Sequence, residues 1–226
     1  MRNLLGALAA LLVLAASSVA VADDLGDVAG KAAIVRGMTD RKSYVGGGLV
    51  FEFRDEQFVI TNLHAALLRA VISVEVLGGG KAEAKRVWPP EETPRDLAIL
   101  LVSKRVSESP LDITDFSYSD AGTLTGAFFV GGAPNGRVAR EPVYLSEAKN
   151  FGRRYWFFVD NFAYGASGTP VFSREEGRLV LAGLIAGNDG TLADGTKIKG
   201  GMAYTVRPLQ AIVGEYLASR RRAALQ

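Results

Sequence analysis

Two residues of the chain have types and surroundings suited to nucleophilic chemistry, Ser167 and His64. Ser167 lies in a glycine-rich run, between Gly165 and Gly168, that is typical of a tight turn. A serine hydroxyl is a weak nucleophile, and it attacks a carbonyl efficiently only when a neighbouring base takes its proton. The chain has one histidine, so the usual base for acyl transfer has a single possible identity, His64.

A third residue, Asp96, could orient that histidine. Asp96 stands directly before an apolar, strand-like run, and His64 stands at the end of another. Each residue alone has an ordinary structural interpretation: a serine in a turn, a buried histidine, an aspartate that caps a strand. All three together, in the order His64, Asp96, Ser167, favour a catalytic constellation of nucleophile, base and orienting carboxylate.

The first 22 residues resemble a secretory signal. Arg2 provides the positive charge, and residues 4–16 form an apolar core that is short for a membrane span. Small residues end at Ala22, so we expect cleavage there, a mature chain of residues 23–226 without stable membrane insertion, and a periplasmic or secreted location. The alternative interpretation of the same segment is an uncleaved membrane anchor.

Composition narrows the classes of site. The chain has no cysteine and one histidine, which argues against thiolate or zinc sites, and we expect neither a metal nor an organic cofactor. It has 26 basic and 24 acidic residues, and loss of Arg2 brings the mature chain closer to neutral. Such a balance argues against a general nucleic-acid binder. Nothing in the sequence specifies an oligomeric state.

Short β-branched and aromatic runs separated by turn residues predict an all-β fold. Twelve strands are predicted: Ala32–Arg36, Tyr44–Phe53, Gln57–Asn62, Ile72–Leu77, Ala82–Trp88, Leu97–Ser103, Thr125–Gly131, Arg137–Leu145, Arg154–Asp160, Thr169–Ser173, Leu179–Ala186 and Lys197–Val206. We expect two six-stranded antiparallel barrels, in residues 30–105 and 120–206, within one peptidase domain. A helix is predicted from Pro208, which would stand in its first turn.

These blocks resemble the trypsin-like serine peptidases of chymotrypsin fold, most closely the short bacterial HtrA-type proteins without a PDZ module. The sequence T-N-L-H ending at His64 resembles the histidine block of that family. D-L-A-I-L from Asp96 resembles its aspartate block, and G-A-S-G-T-P around Ser167 its serine block. The strand containing Leu184 resembles the one that lines the substrate cleft.

The resemblance implies a role for each matched residue. Ser167 would be the nucleophile, His64 the general base and then acid, and Asp96 the group that orients and stabilises the imidazole. The backbone N–H groups of Gly165 and Ser167 would form the oxyanion hole. Further residues would contact the substrate: Asn161, Phe162, Ala163, Leu184, Ile185 and Ala186.

Two departures from the family pattern bear on this site. Thr169 replaces a glycine and could crowd the wall of the site. Ala166 replaces the aspartate that, in digestive members, pairs with a newly cut N-terminus, so we expect no zymogen switch of that kind. No acidic side chain is clearly placed to bind a basic substrate residue, although Asp160 and Asp189 lie near the predicted pocket. We expect a small or apolar preference.

The sequence therefore predicts an exported serine endopeptidase that cleaves polypeptides through an acyl-enzyme. The alternative is a protein-binding module of the same fold whose site is inactive or latent. A structural protein of the cell envelope is a third class, and it would leave the spacing of His64, Asp96 and Ser167 as coincidence.

Overall fold

A computed structural model of the chain describes residues 25–26, 28–40, 42–67, 71–91, 93, 95–112, 118–119, 121–191, 195 and 197–225. The predicted signal segment falls almost wholly before the first of these, and cleavage after Ala22 lies outside the described residues. Across the described part the chain is mostly strands, and one long helix follows them.

The first half of the chain forms a closed barrel. Its strands are β1 Ala32–Met38, β2 Ser43–Phe53, β3 Glu56–Thr61, β4 Val71–Val76, β5 Lys81–Trp88, β6 Ala98–Val102 and β7 Leu111–Asp112. They are ordered β1-β4-β5-β6-β3-β2-β7, and an antiparallel β1–β2 pairing closes the first six into a ring. β7 pairs in parallel with β2 outside that ring.

The second half forms one larger sheet. Its strands are β8 Thr123–Leu124, β9 Phe128–Phe129, β10 Val143–Tyr144, β11 Ala148–Phe151, β12 Tyr155–Phe158, β13 Pro170–Glu175, β14 Arg178–Thr191 and β15 Lys197–Thr205. They are ordered β10-β9-β13-β14-β15-β12-β11-β8. The predicted all-β class with a chymotrypsin-like arrangement is confirmed, although the described residues of this half form eight strands where six are predicted.

The difference in strand number has a local cause. The predicted strand 125–131 is reduced to the two residues of β9, because Gly126 and Gly131 both adopt positive φ angles and interrupt it. Strand β11, which the sequence pattern misses, pairs with β12 across a three-residue turn, Gly152 to Arg154, in which Gly152 and Arg153 have positive φ angles. Short strands of this kind depend on their partners more than on their own sequence.

Apolar side chains form three clusters. One fills the first barrel, with Val35, Val59 and Leu100 among its members. A second lies within the other half around Trp156, whose indole N–H donates to the Ala182 carbonyl at 2.8 Å. The third joins both halves and the helix, and it includes Phe51, Phe58, Phe128, Phe172, Leu184 and Leu209. The fold therefore holds without any disulfide.

Helix α1, Val206–Ala223, packs onto this third cluster. Leu209, Ile212, Val213 and Tyr216 are buried at helical spacing, so one face is apolar. Pro208 stands in the first turn, as predicted, and the helix begins two residues before it. The helix also reaches the first barrel, since Glu215 accepts from Arg95 at 2.9 Å.

Gln57 ties the first barrel to the segment that leads into the second half. Its side-chain oxygen accepts from the N–H groups of Val106 at 2.9 Å and Ser107 at 3.0 Å. Its side-chain nitrogen donates to the Ser107 carbonyl at 2.6 Å. Gln57 is 4% exposed, so these backbone groups have little access to water. The Gln57 side-chain amide pairs with these backbone groups, each of which would destabilise the fold by about 1–3 kcal/mol if it were buried without a hydrogen bond.

We predict that Gln57→Leu lowers the free energy of unfolding by about 2–4 kcal/mol, because it leaves buried backbone donors and an acceptor unpaired. Urea denaturation followed by tryptophan fluorescence measures the change. Gln210→Leu is the matched control, because Gln210 is exposed on α1. Equal stability of the two variants would contradict the proposed role of Gln57.

Candidate active site

His64 is held by two hydrogen bonds to one carboxylate. It lies in a 3₁₀ turn, Leu63–Ala65, that directly follows β3. Its ring Nδ1 is 2.7 Å from Asp96 Oδ2, and its backbone N–H donates to Asp96 Oδ1 at 2.9 Å. An ionised carboxylate only accepts hydrogen bonds, so Nδ1 carries the proton and Nε2 of the neutral ring keeps its lone pair. This tautomer is the one that a general base requires.

Asp96 is itself fixed from several sides. The Asn62 amide donates to the Asp96 carbonyl at 3.0 Å and to its Oδ2 at 3.1 Å. Asn62 is fully buried, whereas the side chains of His64 and Asp96 are 44% and 36% exposed. Arg95, the preceding residue, is bound to α1 through Glu215. The carboxylate therefore has a fixed backbone while its pair with His64 remains open to solvent.

Tyr204 on β15 adds a further contact to the Asp96 backbone. Burial raises the pKa of the Tyr204 phenol above its ordinary value, and neighbouring Tyr155 and Asp96 raise it further. The Asp96 backbone hydrogen-bonds the Tyr204 hydroxyl, and the rings of Tyr204 and Tyr155 lie 5.2 Å apart. Tyr204 therefore stays neutral and supports Asp96 by hydrogen bonding rather than by charge.

Ser167 lies in the turn before β13, and this turn is docked on β2. The Gly47 N–H donates to the Ser167 carbonyl at 2.7 Å. A Cβ at Gly46 would lie 2.5 Å from that carbonyl and 3.9 Å from the Cβ of Ala65, the neighbour of His64. The glycines of β2 thus let the serine turn and the histidine turn approach each other. Within the described residues, no hydrogen bond joins the Ser167 hydroxyl to the His64 ring.

Two peptide planes around Ser167 have their carbonyls tied to the protein. The Tyr164 carbonyl accepts from the Asn135 N–H at 2.7 Å, and the Ala166 carbonyl accepts from the Thr169 N–H at 3.1 Å. In a planar trans peptide the N–H points opposite to the carbonyl. The N–H groups of Gly165 and Ser167 are therefore turned away from these contacts, and neither donates to any group in the described part of the chain.

Gly165 has a backbone that only glycine adopts readily. Its φ is +89°, and a Cβ there would overlap the Ala133 carbonyl. The Ala133 N–H in turn donates to the Gly165 carbonyl at 3.0 Å. The loop around Asn135, whose own φ is +50°, is thus packed directly against the serine turn.

Thr169 does not crowd the site as its position in the sequence suggested. It is fully buried, and its hydroxyl lies where a Cβ would be placed on Gly47 or on Gly132. The two glycines therefore provide the space for the threonine side chain. Ala166, the other departure from the family pattern, is also buried, among the apolar side chains of the second half.

The predicted specificity residues fall into two groups. Asn161 is exposed, Ala163 is half-buried, and Phe162 is 8% exposed with its ring edge-on to Phe158 at 5.2 Å. The amide of Asn188 accepts from the Phe162 N–H and donates to the Phe162 carbonyl, both at 2.6 Å. Asn188 thus clamps the segment before the serine turn onto β14.

The Phe162 ring also lies against strand β15. A Cβ at Gly201 would lie 2.7 Å from the ring edge, so the ring packs directly on the backbone of β15. The carboxylate of Asp189 accepts from the Gly200 N–H at 3.0 Å and is therefore occupied, and Asp160 is exposed.

The other predicted group lies on β14. The side chains of Leu184 and Ile185 are fully buried, so only their backbones are available to a ligand, whereas Ala186 is half-buried. Ile185 pairs with Ala203 and Gly187 with Met202, which makes Ala186 the extra residue of a bulge.

Strand β13 pairs with β14 only as far as Leu184. From Ala186 onward, no described strand runs along that edge of β14. An unpaired strand edge can accept an extended peptide.

A cavity of about 740 Å³ adjoins β14 and extends over the strands on its paired side, β15 and β12. Its lining includes Asp96 and Tyr204, the β14 residues Ala186 to Gly190, and an aromatic side formed by Phe151, Tyr155 and Phe157. Neither Ser167 nor His64 lines it. The cavity thus extends from the carboxylate side of the candidate site.

Two further features of the described residues concern metal binding and membrane insertion. No group of three or more potential metal-ligating side chains converges there. None of the helices in those ranges is long and apolar enough to cross a membrane.

The site residues that sequence reasoning missed are Asn62, Asn135, Asn188 and Tyr204, and only Asn62 carried a signal, because it lies within the T-N-L-H block.

By sequence, the chain matches no protein-family profile and no curated protein. By structure, it is similar to the protease domain of MamO from Magnetospirillum magneticum in its apo form, with a TM-score of 0.55 and 18% identity, covering 82% of this chain and 96% of that one. It is similar to an inactive serine-to-alanine mutant of Rv3671c from M. tuberculosis H37Rv, with a TM-score of 0.59 and 19% identity, covering 87% and 92%.

A serine endoprotease from Yersinia pestis is similar as well, with a TM-score of 0.57 and 17% identity, covering 85% of this chain and 65% of that one. Identities this low establish the fold and leave the chemistry to the residues of this chain. The closed first barrel, the second sheet, the C-terminal helix and these similarities together give the chain the fold of the trypsin-like serine proteases.

Proposed function

We propose that the chain is a serine endopeptidase that hydrolyses peptide bonds through an acyl-enzyme. The observation that carries this proposal is the Asp96 carboxylate, which is bound to both the ring and the backbone of His64. The serine turn lies beside them, docked on strand β2. A surface ion pair needs no second bond to the backbone. A general base does need a fixed ring position and a defined tautomer.

In the proposed reaction, His64 Nε2 takes the Ser167 hydroxyl proton as the oxygen attacks the scissile carbonyl. The tetrahedral oxyanion is stabilised by the N–H groups of Gly165 and Ser167. The protonated His64, stabilised by Asp96, then gives its proton to the leaving amine, and the acyl-enzyme forms. Water, deprotonated by His64, attacks the acyl group and releases Ser167. No cofactor takes part.

The segment of the substrate before the scissile bond would follow the free edge of β14 from Ala186. Main-chain hydrogen bonds to such an edge bind extended peptides with little dependence on their sequence. We also propose that the protein is exported and that its substrate is a polypeptide. The first proposal rests on the predicted signal segment, and the second rests on the unpaired edge of β14.

A second candidate is a binding module that uses the same cleft without hydrolysis. The missing hydrogen bond between Ser167 and His64 favours it, since an assembled nucleophile donates to its base. In unliganded enzymes, however, this bond is often long and tightens only with substrate. Hydrolysis and probe labelling at Ser167 distinguish the two candidates.

We predict that Ser167→Ala abolishes hydrolysis of fluorescein-labelled casein, with a loss of about 10⁴-fold or more, while circular dichroism remains unchanged. The same change removes stoichiometric labelling by a fluorophosphonate probe, located by mass spectrometry. Ser103→Ala is the matched control, because Ser103 is exposed and lines a different cavity from the one that contains Asp96. A folded wild type without either reaction would point to the binding module.

We predict that Gly165→Ala lowers kcat by about 10²–10³-fold, because its Cβ would overlap the Ala133 carbonyl and displace a donor of the oxyanion hole. Steady-state kinetics on a fluorogenic peptide measures this. Gly177→Ala is the control for backbone strain, since Gly177 has a φ of +79° with nothing within 4 Å of its Cβ position. If both variants lose activity alike, the oxyanion assignment of Gly165 is wrong.

We predict a shallow first specificity pocket that accepts small apolar side chains, because the buried Phe162 ring fills space beside Gly201. Phe162→Leu should shift the preference toward larger apolar side chains, measured by mass-spectrometric profiling of cleavage sites in a peptide library. Phe129→Leu is the control, because Phe129 is buried in the same apolar cluster and no site contact involves it. An unchanged profile in Phe162→Leu would remove Phe162 from the pocket.

A further inference from the structure

A second cavity adjoins the candidate cleft and is strongly basic. It has a volume of about 540 Å³, and its lining includes four arginines: Arg95, Arg153, Arg154 and Arg207. No aspartate or glutamate of the described residues lines it. It shares Gly152, Arg154, Tyr155 and Tyr204 with the cavity that reaches Asp96, so the two adjoin.

The positive charge of this cavity is only partly neutralised. Arg95 pairs with Glu215 at 2.9 Å. The exposed side chains of Arg153 and Arg154 make no ion pair with any residue that the structure describes. Two guanidinium groups thus face solvent beside the cleft, and a guanidinium is well shaped to bind a carboxylate through two parallel hydrogen bonds.

The turn that carries these arginines has an unusual backbone. Gly152 and Arg153 both adopt left-handed angles, with φ of +59° and +57°, at the centre of the β11–β12 hairpin. Asn150 accepts from the Arg153 N–H at 3.0 Å and stabilises the turn. Glycine or asparagine would suit the position of Arg153 better. The arginine is present despite this local cost, and its charge is presented at the mouth of the basic cavity.

From this arrangement we propose that the basic cavity binds acidic side chains of a polypeptide that occupies the adjoining cavity at Asp96. The inference rests on the proposed peptidase function only in taking that polypeptide to be the substrate. The two cavities share Arg154, Tyr155 and Tyr204, so a peptide bound beside Asp96 can place a side chain at the arginines. The substrate class is an extended peptide that carries Asp or Glu.

An acidic peptide suits these surroundings better than a nucleic acid or a sulfated glycan. The cleft offers an apolar, aromatic wall and an unpaired strand edge, both of which suit a polypeptide. A polyanion of repeating charge requires an extended basic surface, whereas the formal net charge of the chain is only +2. The four arginines instead form one local cluster at the end of the cleft.

Binding is tested on the Ser167→Ala protein, so that hydrolysis is not required. Two fluorescein-labelled peptides share an alanine- and valine-rich half, preceded by glutamates in one and by glutamines in the other. Fluorescence anisotropy at low salt should show tighter binding of the glutamate peptide, by about fivefold or more, and the preference should shrink at high salt. Adding R153Q and R154Q together should remove most of it. R178Q is the matched control, because Arg178 is exposed and lies outside both cavities.

Equal affinity for the two peptides would overturn the inference, and so would a preference that survives R153Q/R154Q. Binding of a heparin oligosaccharide to the arginine cluster, with equal affinity for the glutamate and glutamine peptides, would overturn the inference in favour of a polyanion site. A glutamate preference in Ser167→Ala, combined with an inactive wild type, supports the inference and removes the proposed peptidase function instead. The two failures are therefore separable.

Discussion

The candidate site depends above all on the position of one carboxylate. Asp96 contacts His64 twice, through the ring and through the backbone, so the imidazole can neither rotate freely nor move away along the chain. The carboxylate is held in turn by Asn62, which is fully buried, and the Asp96 backbone is held by the hydroxyl of Tyr204 on the other half of the molecule. Because Asp96 and His64 are partly exposed, the ordering comes from these buried neighbours more than from the ion pair itself.

The position of the serine turn depends on the glycines that it packs against, because they have no side chains. Gly47 and Gly132 provide the space for the buried Thr169, and Gly47 also donates to the Ser167 carbonyl. The two halves of the fold can therefore meet with backbone against backbone, where any Cβ would force them apart. The threonine that departs from the family pattern is thus accommodated outside the cleft, and the wall of the cleft is formed by other residues.

The sequence allowed a good prediction of the fold class, and it identified Asp96 as the partner of His64. Strands β1 to β6 follow a buried apolar pattern that is visible locally, and each candidate residue lies in a short recognisable block. The short strand β8 was not predictable in this way, because a two-residue ladder is determined by its partner. The burial of Leu184 and Ile185 also follows from long-range packing, since both faces of β14 are covered before the bulge at Ala186.

The carbonyl of Tyr164 shows why the chemistry of the site is built from contacts between distant segments. Its hydrogen bond to the Asn135 N–H fixes the peptide plane that orients the Gly165 N–H, across a separation that no local motif records. The N–H groups of Gly165 and Ser167 then have no acceptor among the residues that the structure describes, which is unfavourable unless water or a ligand satisfies them. A developing oxyanion is the ligand for which two such donors have the greatest value, because the negative charge they stabilise appears only during the reaction.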